Sequence, residues 1–399
     1  MESIGIGGPA AEGAAALDGR EPQVDSRSHV QQPARPAIMT PWADFLCVGG
    51  LAVVPFAVIY ALNVPFSQFR YWTSTVLLSQ VLFNYPHFIA SYRLLYQSNE
   101  IIQRYRWASI YLPIVMVSYI LFCLIDPLIF GEPINIKYWH FADWISTTYL
   151  AVHYTGQAWG MVASFSYLGG TPLAKHERYA VRGTLYVFMV WHMAIANVVA
   201  PEYSIFFPGA ADILNWLLKT TTVLAHVGMA AVVAAFVSVA RRSQRVPPWA
   251  MIVPVPVLYF GYLILMRGRE GIMLLQLAHA LQYLIFPLRV EINRSAVSSP
   301  RQRLLHVLAY VVGIVAVGNL VFVGTSSIPS RPVYFAAILL GAMVNIHHFY
   351  IDGVVWKIST PEVRKDLFKH LAQATATQPA VSLAQTRSPR KSRGRQRGA

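Results

Sequence analysis

The sequence predicts an all-α polytopic membrane bundle of about ten transmembrane helices, and three observations carry that expectation. First, 55% of the 399 residues are hydrophobic and only 13% are charged, with a mean hydropathy of +0.44. Soluble domains carry about 25% charge. Second, apolar runs of spanning length recur along the chain, and crossing a bilayer takes ~20 such residues in a helix. Third, the basic residues between these runs alternate between rich and poor connections, as cytoplasmic and outer loops do.

The runs fall near 42–62, 72–95, 107–130, 141–168, 182–200, 213–239, 249–266, 271–290, 303–323 and 333–356. The seventh contains Pro254 and Pro256; proline removes a backbone donor, so a kinked or re-entrant segment is expected there. The basic-rich connections hold Arg104 and Arg106, then Lys175, Arg178 and Arg182, then Arg241, Arg242 and Arg245, then Arg294, Arg301 and Arg303. The intervening ones hold Arg70, Lys137, Arg267 and Arg269, and Arg331. This alternation predicts both termini in the cytoplasm and a multi-pass protein of the cell membrane. Trp42, Tyr71, Trp72, Tyr138, Trp139 and Trp356 stand at predicted helix ends, where interfacial aromatics anchor a span.

Residues 1–40, rich in Ala, Gly, Pro and Gln, read as a disordered cytoplasmic tail without a signal peptide. Residues 41–358 form the helical domain, and 359–399 a basic, largely disordered cytoplasmic tail. That tail carries Arg387, Arg390, Lys391, Arg393, Arg395 and Arg397, which explains much of the net charge of +14 without nucleic acid; its chemistry suits anionic lipid head groups. Cys47 and Cys123 lie in apolar runs and read as small core residues.

Histidine is where chemistry enters. His87, His153, His192, His226, His279 and the pair His347–His348 fall well inside predicted spans, and counting at ~1.5 Å per residue puts these six helices' imidazoles near the bilayer middle. His140 stands at a span edge, and His29, His176, His306 and His370 fall in tails, a loop or a helix start. A polar ring in hydrocarbon needs a partner. A shared metal ion satisfies several at once, whereas a polar helix-to-helix network must partner each one separately.

Polar neighbours one turn away share a face with several of these rings. Asn84 and Ser91 flank His87, Gln157 follows His153, Gln276, Gln282 and Tyr283 bracket His279, and Asn345 and Asp352 bracket His348. Such groups accept the second ring N–H of a ligating histidine. The expected ligands are His87, His153, His279 and either His347 or His348, since adjacent helical residues point about 100° apart. His192 and His226 are reserves, for metal or haem. Asn84, Gln157, Gln282, Tyr283, Asn345 and Asp352 are the expected supporting residues.

Carboxylates are scarce inside the helices, and the Glu-x-x-His pairs of a di-iron bundle are absent. So are His-Glu-x-x-His and the dense histidine boxes of a desaturase. An almost all-histidine site remains. Imidazole suits iron, copper and zinc; iron is the first expectation, with zinc, copper or a bis-histidine haem as alternatives.

The segment NYPHFIASY (84–92) resembles the Pro-His segment of the Brp/Blh-type carotenoid dioxygenases. WHFADW (139–144) is similar to their His-Phe-x-x-Asp segment, and AHALQYL (278–284) to a later histidine helix. The resemblance implies a polytopic membrane protein holding iron on four histidines; the family's reaction is cleavage of β-carotene.

Together these readings predict an intramembrane metalloenzyme, an iron-dependent oxidoreductase acting on a lipid or isoprenoid that enters from the bilayer. A multipass transporter with midplane histidines and a haem-binding subunit or assembly factor are the rival expectations.

Overall fold

The computed structural model describes residues 37–65, 78–131, 135–324, 331–355, 363 and 365–371. Among them there are helices and connections but no strand. Tyr71, Trp72, Trp356, Arg70, His29 and the basic cluster from Arg387 to Arg397 lie outside the described residues.

Among the described residues, twelve α-helices follow in order. They are α1 (Pro41–Ala61), α2 (Tyr85–Leu95), α3 (Asn99–Arg104), α4 (Trp107–Ile129), α5 (Ile136–Leu168), α6 (Lys175–Val199), α7 (Ala211–Ser243), α8 (Trp249–Ile252), α9 (Pro254–Leu265), α10 (Gly271–Arg294), α11 (Pro300–Asn319) and α12 (Arg331–Val355). Among the described residues, six stretches are long and apolar enough to cross a membrane: α1, α4, α7, α10, Pro300–Val323, which contains α11, and Val333–Val355, which makes up most of α12. Helices α5 and α6 are as long but more polar. Their polarity has a use, because α5 carries much of the site described below.

Local chemistry sets the breaks. Thr40 caps α1 through the Ala43 amide, at 3.1 Å, as N-cap hydroxyls do. The Asp44 carboxylate accepts the Ile38 and Met39 amides, at 2.7 and 2.9 Å. Inside α1 the helix widens into a π-turn over Leu46–Gly50. A Cβ at Gly49 would stand 2.7 Å from Val257 on α9, so only glycine permits this approach. The Val48 carbonyl freed at the kink accepts a 2.7 Å hydrogen bond from Gln282 of α10. At the far end of α1, Arg267 donates to the Ile59 and Tyr60 carbonyls and covers the Tyr60 ring, satisfying carbonyls that have no partner within the helix.

Pro254 breaks the expected seventh span into α8 and α9, which bend within the core instead of lining an opening; Val253, Val255 and Val257 are all buried. Helix α6 packs on both α5 and α7, α12 on α2, α4 and α5, and α11 on α2. The last contact is backbone to backbone, for a Cβ at Gly318 would meet the Tyr85 carbonyl carbon at 2.8 Å, a use of small residues common between membrane helices.

Polar contacts tie the loops together at each end of the bundle. At one end Arg269 meets Glu202 at 2.6 Å. At the other, Arg242 joins Glu177 at 2.7 Å, and Glu291 takes Arg294 and His306 at 2.9 Å. The packed body also reaches beyond the expected 41–358. Ile38 is fully buried, and residues 365–371 dock through Asn293 to the Asp366 and Leu367 carbonyls, with His370 bonded to the Ala37 carbonyl.

Candidate metal centre

Four helices each bring one imidazole to a single cluster: His87 from α2, His153 from α5, His279 from α10 and His348 from α12, all buried. Ring centroids lie 4.6 Å apart for His87–His348 and His153–His279, and 5.1 Å apart for His87–His279 and His153–His348. Ligand atoms of His87, His279 and His348 fall within 4.8 Å of one another, as do those of His153, His348 and Asp352.

A backbone hydrogen bond fixes the tautomer of His87. The π-turn over Gln80–Asn84 leads into α2, where Pro86 lacks an N–H and the Val81 carbonyl is taken by Asn319 instead. The Asn84 carbonyl accepts the Nδ1–H of His87, so Nε2 keeps its lone pair. That Nε2 is buried and has no hydrogen-bond partner.

His348 is set by a similar argument through a longer chain. Ser91 Oγ donates to Asp352 Oδ1 at 2.8 Å and so accepts from His348 Nδ1 at 2.9 Å. Tyr283 adds its hydroxyl to Ser91 at 2.6 Å. The His348 Nε2 and Asp352 Oδ2 left over are both buried without a hydrogen bond and 3.4 Å apart. His153 Nε2 is 3.8 Å from the same carboxylate oxygen.

His153 and His279 face each other with Nε2 atoms 3.0 Å apart. Two nitrogens bound at right angles to one ion, at ~2.1 Å each, would be about 3.0 Å apart. Leaving buried acceptors unpaired costs about 1–3 kcal/mol each, and His87 Nε2, His348 Nε2 and Asp352 Oδ2 are such acceptors, which a cation would satisfy. The residues present therefore fit a metal ion. They do not fit a haem, because four rings set edge to face this closely leave no flat slot.

The structure separates the expected site residues. His347 is turned away, its Nδ1 2.9 Å from the Tyr92 hydroxyl and its Nε2 on the Ala108 carbonyl; with both nitrogens engaged it is no ligand. His226 sits exposed on α7 and bonds the Thr222 carbonyl at 2.6 Å. His192 is fully buried but separated from the centre by the Tyr154 ring, which lies 4.7 Å from His279 and 6.2 Å from His192.

Among supporting residues, Tyr283 and Asp352 lie beside the rings and meet at Ser91. Asn84 contributes its backbone carbonyl, and its Oδ1 has no partner. Gln157 and Gln282 bond each other at 3.2 Å, and Gln157 also holds the His279 carbonyl, so they brace α10 and touch no ring nitrogen. Among the described residues, no hydrogen bond joins Asn345 to the cluster. Ser91, a neighbour one turn past His87 in sequence, proves to be the hub linking three residues.

A cleft of about 730 Å³ opens beside the centre, within the ~300–1,000 Å³ of small-molecule sites. It is walled by α5, α10 and α12, and His153, Asp352 and Tyr283 reach it from the cluster. Its rim residues Val152 and Tyr167 are exposed, so it opens on the outside of the bundle. Along α5 it runs from Tyr149 to Tyr167, roughly 27 Å at 1.5 Å per residue. Gly156, Gly160 and Gly353 line it, and a Cβ at any of them would meet open space. Neighbour packing does not require these glycines, which destabilise a helix by about 0.5–1 kcal/mol relative to alanine.

Comparison with protein-family models, curated proteins and solved structures finds no match.

Proposed function

We propose that the chain is an integral membrane metalloenzyme, an iron-dependent oxidoreductase whose substrate is a lipid or isoprenoid. The observation that carries this reading is the convergence of His87, His153, His279 and His348 beside an apolar cleft open to the outside of the bundle. The short resemblance to the Brp/Blh-type carotenoid dioxygenases supports iron over zinc or copper, and two of its motifs contain His87 and His279. The third, with His140 and Asp143, lies away from the centre, where Asp143 bonds Tyr203.

An iron ion on neutral imidazoles supplies O2 activation next to a lipid-soluble substrate. The protein's own part is positional. Ser91 and the Asn84 carbonyl hold two rings in the tautomer that presents Nε2. Asp352 offers a negative oxygen to a cationic site, and its other oxygen is restrained by Ser91. The cleft aligns an extended apolar chain along α5, past His153, and its glycine floor keeps the path smooth. Apolar walls exclude bulk water from the reacting end.

In this reading the chain crosses the cell membrane about ten times. The alternating basic connections turn the end bearing Arg242 and Arg294 toward the cytoplasm, and both termini with it.

The test is anaerobic purification, elemental analysis, and O2 uptake with a panel of long-chain lipids and isoprenoids. Stoichiometric iron and substrate-dependent O2 uptake, both lost in His348→Ala, are expected. Metal-free protein with an intact helical fold would overturn the reading, and substrate flux across proteoliposomes without O2 uptake would favour a transporter.

A further inference from the structure

A second group of buried polar atoms lies behind the centre. The Tyr154 hydroxyl on α5, the ring nitrogens of His192 on α6 and the Tyr262 hydroxyl on α9 have no hydrogen-bond partner of good geometry, although His192 approaches the Thr147 backbone. All three residues are essentially inaccessible, at 2%, 0% and 0%. They adjoin one another: the His192 ring stands edge to face on Tyr262 at 5.0 Å and on Tyr154 at 6.2 Å, and the two phenols are near enough to interact electrostatically. Four such atoms in one place are strongly unfavourable unless something polar bonds them. Buried water does this in most proteins, given two to four polar partners.

The same residues stand in line. Asp143, Thr147 and Tyr154 recur on α5 at spacings of four and seven residues, which keeps them on one face of a helix. The lower part of this stripe is already bonded: Tyr203 donates to Asp143 at 2.6 Å and lies 3.2 Å from Thr147. Asp143 in turn feels Arg269 and Glu202 at the end of the bundle. Between Thr147 and Tyr154 the gap is about 10 Å along the axis. His192 spans it, with the Thr147 backbone on one side and the Tyr154 ring on the other. Tyr154 then reaches the His279 ring.

We propose that Tyr154, His192 and Tyr262 enclose a water-binding site, and that it forms a hydrated route for protons between the histidine centre and the bundle end at Tyr203 and Asp143. No side chain on the route has to change its charge; hydroxyls and waters pass protons by reorienting. The destination of the route rests on the metal reading above, whereas the hydrated site does not.

The test is water-edited solid-state NMR of the full chain in liposomes, with histidine, tyrosine and phenylalanine labelled and the His192 signal identified by its loss in His192→Phe. Exposed His176 supplies the wet reference and buried Phe188 the dry one. Magnetisation from water should reach His192 at a rate near that of His176, and in D2O its ring N–H should exchange several-fold more slowly in Tyr203→Phe. A His192 as dry as Phe188 would overturn the water site, and exchange unaffected by Tyr203→Phe would overturn the route. Metal content measured on the same samples separates the two readings, since a wet His192 in metal-free protein sinks only the centre.

Discussion

Ser91 Oγ stands 2.9 Å from His348 Nδ1, and this contact decides which of two adjacent histidines belongs to the centre. Because Ser91 gives its own proton to Asp352, the imidazole must donate, and its Nε2 is left as a lone pair pointing inward. Ser91→Ala removes the acceptor and frees the ring to take the other tautomer. Losing the acceptor that orients a ligating ring weakens metal affinity by about 10–100-fold. A competition titration with a chelator on the purified variant measures the change; unchanged affinity would detach Ser91 from the site.

Replacing His87, His153, His279 or His348 singly by alanine should abolish or sharply lower bound metal. His347→Ala and His226→Ala should retain it, because both His347 nitrogens are engaged elsewhere and His226 is exposed on α7, bonded to Thr222. Elemental analysis of the six variants, with circular dichroism to confirm helix content, checks the division. Metal retained in His279→Ala but lost in His347→Ala would reverse the ligand assignment.

This contrast also marks what the sequence could show. Depth along the helices singled out His87, His153 and His279, since an imidazole in mid-span needs a reason whatever its neighbours. It could not choose between His347 and His348, because rotation about α12 is set by packing on α2, α4 and α5. It took Asn84 for a side-chain partner, whereas the acceptor is its backbone carbonyl, which sequence pattern does not single out. The buried polar group around His192 and Tyr262 was beyond sequence reading, for an unpaired atom is defined only by what tertiary packing withholds. Hydropathy located the spans of α1, α4, α7 and α10 well. The run at 141–168 falls inside α5, whose Asp143, His153 and Gln157 make it more polar than those helices.

Filling the cleft should separate substrate binding from metal binding. Gly156→Leu or Gly160→Leu places a branched side chain in space that is open now. Both should keep full metal content while losing most affinity for a fluorescent long-chain polyene acid, followed by its emission. Equal binding in wild type and both variants would show that the apolar ligand sits elsewhere.

Glu177 tests the fold independently of the centre. Burial would raise its carboxyl, but the Arg242 guanidinium, the Ala174 amide and Ser238 outweigh it and hold the group below the ordinary carboxylate range. A depressed folded-state value means the ionised group stabilises the fold above the unfolded value, about 4.3, and that this contribution is lost as pH falls through the folded value. Glu177→Gln should therefore lower the thermal midpoint at pH 7, with the gap from wild type closing in acid. A gap that persists unchanged at pH 3 would show that the carboxylate's charge is not what holds α6 to α7.

X-ray absorption at the metal edge of the protein as purified tests the central claim most directly. The account requires a first shell of imidazole nitrogens, three or four of them, at about 2.0–2.2 Å with the outer-ring scattering of histidine. An absent edge in a folded protein, a sulfur shell, or the multiple scattering of a porphyrin would contradict a metal ion held by His87, His153, His279 and His348.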